Sequence, residues 1–187
     1  MKQIRAALAA VCIFSGQLHA LGAEVNICER EMVRAAAAND VPLGMLYAIG
    51  VTESGRDGSL QPYALNIEGR AVYEVSKAAA MRSFQEAQRS GAKLIDVGCM
   101  QINNHFHAEG FSSLEDMFDP AKNVAYAAHF LSELKKREGS WTMAIARYHA
   151  GPDNVSAQKG YVCRVIGNMV SAGFGGWTEA ASAYCGR

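Results

Sequence analysis

Apolar residues recur at three- and four-residue spacing over most of the chain, and alternate with polar ones only near its middle. Asn26 with Glu29 three residues on forms a capping box, which opens a helix through Met32 and Val33 to the alanine run Ala35–Ala38. Asp40 is the expected cap of a second helix, with Pro42 in its first turn, where a missing N–H costs little. Leu46, Ile49 and Gly50 lie on its apolar face, the next position on that face is Glu53, and Gly55 suits the stop. Tyr63–Ile67, Ala71–Val75 and Leu94–Asn103 then read as short strands, with turn residues at Glu68 and Gly69. A helix from Ser76 to Arg89 is inserted before the third strand. Asp119 and Pro120 start a further helix that runs through Val124, Ala127, Leu131 and Leu134 to Gly139. Another starts at Ser140, sets Trp141, Ala144, Ile145 and Tyr148 on one face, and stops at Gly151-Pro152. The last is expected from Tyr161 to Ala172. The pattern predicts an α+β chain, mostly helical, with a small sheet in its middle.

The amino terminus departs from that pattern. Lys2 and Arg5 precede an apolar run, Ala6–Phe14, and small residues follow at Ala20, Gly22 and Ala23. This order predicts a secretory signal peptide over residues 1–23, cut after Gly22 or Ala23, rather than a membrane anchor. About 160 residues would remain, 24–187, enough for one domain with a full core. The 18 basic and 18 acidic residues cancel, which argues against a nucleic-acid partner. No later segment is apolar enough to span a membrane. Four cysteines follow the leader: Cys28, Cys99, Cys163 and Cys185. In an exported chain these predict two disulfides, in any of three pairings. They are widely spread with no CxxC spacing, which disfavours zinc; His105 and His107, on a possible strand continuation, lack a third ligand.

Glu53 is the unusual residue, a carboxylate on a core-facing position at a helix C-terminus. Burial and the negative end of the helix dipole both disfavour its charge, which raises its pKa toward that of a proton donor at neutral pH. Three further segments give this acid a context. They are Gly98-Cys99-Met100-Gln101-Ile102-Asn103, Tyr148-His149-Ala150-Gly151, and Tyr161-Val162 ahead of the final helix. Together with Glu53-Ser54 and with Asp119-Pro120 and Asn123 between, they stand in the order and at the spacing of a known family. The chain resembles the lytic transglycosylases of the soluble-transglycosylase (SLT) type, relatives of goose-type lysozyme, over nearly all of residues 24–187.

The resemblance implies a lysozyme-like fold with a small antiparallel sheet flanking an active-site cleft, and no cofactor or metal. It implies a periplasmic enzyme whose partner is the glycan strand of peptidoglycan. Small members of this type serve secretion, conjugation or flagellar assemblies, so such an assembly is an expected partner. Glu53 is the expected catalytic residue, first as acid and then as base, closing a 1,6-anhydro ring on N-acetylmuramic acid. Ser54, Met100, Gln101, Asn103, Tyr148 and Tyr161 are the expected substrate-binding residues. Strand pleating would turn Met100 and Ile102 inward and Gln101 and Asn103 toward the glycan. Two departures stand out: Cys99 replaces an apolar residue, and His149 replaces an Asn. A third bears on the reaction, because goose-type lysozyme has an Asp where this chain has Asn103. That leaves Asp96 or Asp57 as the carboxylate a hydrolase would need to hold water. Hydrolysis, or a wall-binding scaffold with weak turnover, are the alternatives to the non-hydrolytic reaction.

Overall fold

A computed structural model describes residues 25–187; the expected signal peptide, residues 1–23, lies outside that span. Two helices, α1 (Ile27–Ala38) and α2 (Leu43–Ser54), lead into a hairpin of β1 (Gly55–Arg56) and β2 (Ser59–Leu60). The main sheet comprises β3 (Ala64–Ile67), β4 (Arg70–Tyr73), β5 (Ile95–Val97) and β6 (Ile102–Asn103), with α3 (Lys77–Arg89) between β4 and β5. The remainder is helical: α4 (Asn104–His107), α5 (Leu114–Met117), α6 (Pro120–Glu138), α7 (Trp141–His149), α8 (Val155–Ser171) and α9 (Glu179–Cys185). The fold class is the expected one, α+β and mostly helical.

Local chemistry accounts for most helix ends. Asp119 accepts a hydrogen bond from the Lys122 amide, Pro120 occupies the first turn of α6, and Gly139 closes it at φ +79°. Ser76 and Ser140 cap α3 and α7 in the same way. Two expected caps differ. Asn26 accepts from the Cys28 amide, but no reciprocal bond from Glu29 forms. Its amide instead donates to the Leu60 carbonyl and Ser59 hydroxyl, tying α1 to β2. Asp40 does not cap α2, which starts at Leu43 after Pro42 with no side-chain cap. Asp40 sits at φ +53° in the tight turn that buries Val41. Gly55 ends α2 for a steric reason: its φ is −66°, but a Cβ there would collide with the Val51 carbonyl.

The main sheet is antiparallel, in the order β4-β3-β5-β6. Its register sets Asn66 beside Asp96 and Asp96 beside Asn103, a polar row across three strands. The next row, Leu65, Val97 and Ile102, is buried, so alternation turns the polar row to the opposite face. The single strand expected over Leu94–Asn103 is in fact two strands and a turn. Gly98 at φ +82° and Gln101 at φ +47° reverse the chain, because left-handed residues cannot continue a ladder. Met100 and Gln101 therefore owe their directions to a turn and not to pleating. His105 and His107 likewise lie on α4 and not on a strand.

The core forms where α2 packs on α1 and α8, and where α6 packs on α1 and α7. Met32, Leu46, Ile49, Met100, Leu131 and Val162 are each fully buried there. The helix expected from Tyr161, α8, starts instead at Val155, capped by Asn154, so Tyr161 lies well inside it. The cysteines pair as Cys28–Cys99 and Cys163–Cys185. The first bridge joins α1 to the β5–β6 turn, and the second joins α8 to α9, a helix the sequence pattern did not reveal. Among the described residues no helix is long and apolar enough to cross a membrane.

The sequence separations of 71 and 22 residues rank the two bridges, because closing a longer loop removes more entropy from the unfolded chain. Replacing Cys28 and Cys99 together by Ala should lower stability by roughly 4 kcal/mol, and Cys163 with Cys185 by roughly 3 kcal/mol. Urea unfolding of the two double variants checks that order, and a reversed order would refute it.

Candidate active site

α2 delivers Glu53 from its last turn to the floor of an open cleft. The apolar positions Met45, Leu46 and Ile49 fix the helix in the core, so the acid cannot swing out with the helix end. The cleft is lined by Asn66, Asp96, Gln101 and Asn103 from the sheet and its β5–β6 turn, and by Tyr148 and His149 from α7. Phe106, His107 and Phe130 also line it.

Desolvation pushes the Glu53 pKa up to about 7. The Tyr161 hydroxyl donates to Glu53 Oε1 and opposes that rise, the Asp96 charge adds to it, and the Arg164 charge subtracts. Two further groups meet the Tyr161 ring. The His149 ring stacks on it at 4.2 Å between centroids, and the Arg164 guanidinium lies 5.6 Å from its centre. Contact with Tyr161 desolvates His149, and with the Arg164 charge this pushes its pKa below the ordinary histidine value. His149 is thus a neutral wall of the cleft at neutral pH.

Four expected site residues face this cleft: Glu53, Gln101, Asn103 and Tyr148. Gln101 spends its amide N–H on the Gly98 and Ala64 carbonyls, at 3.0 and 3.2 Å. Its carbonyl oxygen remains free among the described residues to accept from a ligand. Asn103 is more committed, donating to Asp96 at 2.6 Å while accepting from the His105 amide as the cap of α4. The Tyr148 hydroxyl donates to the Met100 carbonyl at 2.8 Å.

Three expected binding residues do not face it. The Ser54 hydroxyl is 1% exposed and donates to the Cys99 carbonyl at 2.7 Å, so it braces the turn rather than meeting a ligand. The Met100 side chain is fully buried against α2, leaving only its carbonyl near the site. Tyr161, 1% exposed, reaches Glu53 from behind.

Other residues have roles at the site that the sequence did not show. Asn123 on α6 accepts from the Met100 amide and donates to the Val97 and Met117 carbonyls, all within 3.0 Å. It leaves no space for a Cβ at Gly98, which explains that glycine together with its positive φ. Asn66 and Phe130 join the cleft only because strand register and helix packing bring them there. Asp57 is absent from the cleft lining, whereas Asp96 is part of it. No cluster among the described residues has three side chains placed to hold a metal ion.

A family model described as the Transglycosylase SLT domain matches residues 31–166, a span that takes in Glu53, the β5–β6 turn, Tyr148 and Tyr161. The chain belongs to the transglycosylase SLT family. It is accordingly a peptidoglycan lytic transglycosylase, an enzyme of the glycan lyase class with a lysozyme-like α+β fold. No curated protein and no solved structure matches it.

In this SLT domain the groups around Glu53 push its pKa in known directions. Removing the Asp96 charge with Asp96→Asn should lower it, and removing the Tyr161 hydroxyl with Tyr161→Phe should raise it further. Carboxyl-detected NMR titration of Glu53 checks both signs. A stability consequence follows as well. The folded chain binds the Glu53 proton more tightly than the unfolded chain, so stability is lost as pH rises from the ordinary Glu range through about 7. Glu53→Gln should therefore raise the melting temperature more at about pH 8 than at about pH 5. An equal gain at both values would contradict the raised pKa.

Proposed function

We propose that this transglycosylase cleaves the β-1,4 bond between N-acetylmuramic acid and N-acetylglucosamine without water, leaving 1,6-anhydro ends. Glu53 is the sole acid and base in this reading. Its neutral carboxyl protonates the glycosidic oxygen, and the C1–O bond breaks with charge developing at C1. The resulting carboxylate takes the proton of the muramoyl 6-hydroxyl, whose oxygen closes on C1. The proton given to the leaving sugar is thereby replaced, and Glu53 is ready again.

The observation that carries this proposal is the Glu53 carboxyl itself, lifted to about 7 by desolvation at the floor of the cleft. At that value it is substantially protonated at neutral pH, and its conjugate base is strong enough to take the proton back. The free Gln101 carbonyl oxygen supports binding of a sugar N–H or hydroxyl. The Tyr148 ring and the substrate's own acetamido group would help to offset the charge at C1.

One observation favours a second reading, hydrolysis. Asp96 is a carboxylate on the cleft face of the sheet, where it could hold a water molecule. Desolvation raises its pKa, but Asn103 already donates to it at 2.6 Å, which lowers its basicity and occupies a lone pair that a held water would need. We therefore place the anhydro reaction first. Export through residues 1–23 to the periplasm is part of the same proposal, supported by the two disulfides. So is service to a secretion, conjugation or flagellar assembly.

Mass spectrometry of digested peptidoglycan separates the two reactions. Muropeptides that lack the elements of water and carry no reducing end are expected; predominantly reducing ends would establish hydrolysis. Glu53→Gln should cut the rate at least about a hundredfold, the lower end of what one general acid contributes. Retention of activity by that variant would remove Glu53 from the mechanism.

A further inference from the structure

We infer that Phe106 is a binding platform for the glycan strand, on which the face of one pyranose ring adjoining the scissile bond is seated. The inference rests on the reading of the Glu53 cleft as the site of glycan cleavage.

Phe106 is 70% exposed, yet it lines the same cleft as Glu53. Its exposure is not the fraying of a loose end. Asn103 caps α4 at the His105 amide, and Asn104 donates to Met117 Sδ. His107, on the same short helix, is turned inward, with its Nδ1 2.9 Å from the Tyr126 hydroxyl. The His107 ring also meets Tyr126 and Phe130 edge to face, at 5.6 and 5.0 Å between centroids. With the helix fixed at both ends, Phe106 is left facing solvent. The His105 ring meets it edge-on at 4.8 Å and 79°, restricting its rotation without covering it.

No residue of α4 is buried, so Phe106 contributes nothing to the core. A large apolar ring left in water beside a binding cleft gains only when a ligand covers it. The ligand chemistry follows from the cleft. A β-linked N-acetylhexosamine has its ring substituents equatorial and its C–H bonds axial, so each face of the sugar is apolar and its polar groups point outward from the rim. Seated on Phe106, such a ring buries its C–H face while its hydroxyls and acetamido group stay free for neighbouring polar groups. The lining is mixed accordingly: the polar side chains of Asn66, Asp96, Gln101 and Asn103 share the cleft with the rings of Phe106, His107 and Phe130. Ring contacts run from His107 through Phe130 to Tyr148, the last pair with centroids 5.9 Å apart, and so tie α4 to α7 across the cleft lining.

The test uses the full domain and soluble glycan strands freed of stem peptides. Phe106→Ala should raise KM about five- to tenfold and change kcat less than about twofold, with an unaltered melting temperature because the ring is exposed. Phe106→Trp should keep the parent KM, and its indole emission should shift as glycan strands are added. Phe106→Leu, apolar but without a ring face, should behave like Phe106→Ala. The platform is refuted if Phe106→Ala leaves KM unchanged, if it lowers kcat alone, or if Leu restores KM as fully as Trp. Titration of the same strands into Glu53→Gln, with and without Phe106→Ala, reads binding apart from turnover. A loss of affinity there supports the platform whichever product the enzyme makes, so this result and the anhydro assignment can fail separately.

Discussion

The structure is organised around the short turn between β5 and β6, residues 98 to 101, which four helices hold from different directions. Cys28 of α1 is bonded to Cys99, and Ser54 of α2 donates to the Cys99 carbonyl. Asn123 of α6 accepts from the Met100 amide, and Tyr148 of α7 donates to the Met100 carbonyl. Inside the turn, the Gly98 carbonyl receives both the backbone and side-chain N–H of Gln101. A buried turn exposes polar groups that ladders cannot satisfy, and each one left unmet would cost about 1–3 kcal/mol. Here distant side chains meet them. The same contacts set α2, and hence Glu53, against the sheet.

This constraint lets a carboxyl remain desolvated at a helix end, where chains usually fray. Ser54, next to Glu53, is the residue that locks the end of α2 to the turn. Beside Glu53, the Tyr161 ring stacks with His149 and lies near the Arg164 guanidinium, and the second disulfide fastens the helix that carries it. The site is thus rigid on its protein side and open only toward the cleft. Such an arrangement places the orientational cost of catalysis in folding rather than in each turnover.

Features that depend on neighbours in the chain were legible in the sequence. Asp119-Pro120, Ser76 and Ser140 mark helix starts because caps act within three residues. Glu53 was legible as an acid on an apolar face, and the ordered motifs gave it a family. Features that depend on distant partners were not. Nothing local says that Gln101 adopts a left-handed conformation, since Asn123, from another helix, helps to enforce the turn. Tyr161 was expected to touch glycan, but its hydroxyl meets an acid 108 positions earlier in the chain. Met100 and Ser54 stand in the motif because they build the turn, and the family pattern alone does not separate building from binding. Phe106 was hidden by the brevity of α4, four residues with no periodic signal.

Asn103 shows why that separation matters for the chemistry. As a substitute for the Asp of goose-type lysozyme, it first signified only a missing carboxylate. In the folded chain its amide group serves two purposes, capping α4 and donating to Asp96. An Asp here could still cap the helix, but it could not donate to Asp96 in its charged form, and two carboxylates would repel across one strand pair. The amide donor favours the charged form of Asp96, whose field adds to desolvation in raising the Glu53 pKa. The same side chain orients α4 and the ring of Phe106 upon it. One side chain therefore connects the charge beside the acid with the orientation of the short helix that carries Phe106.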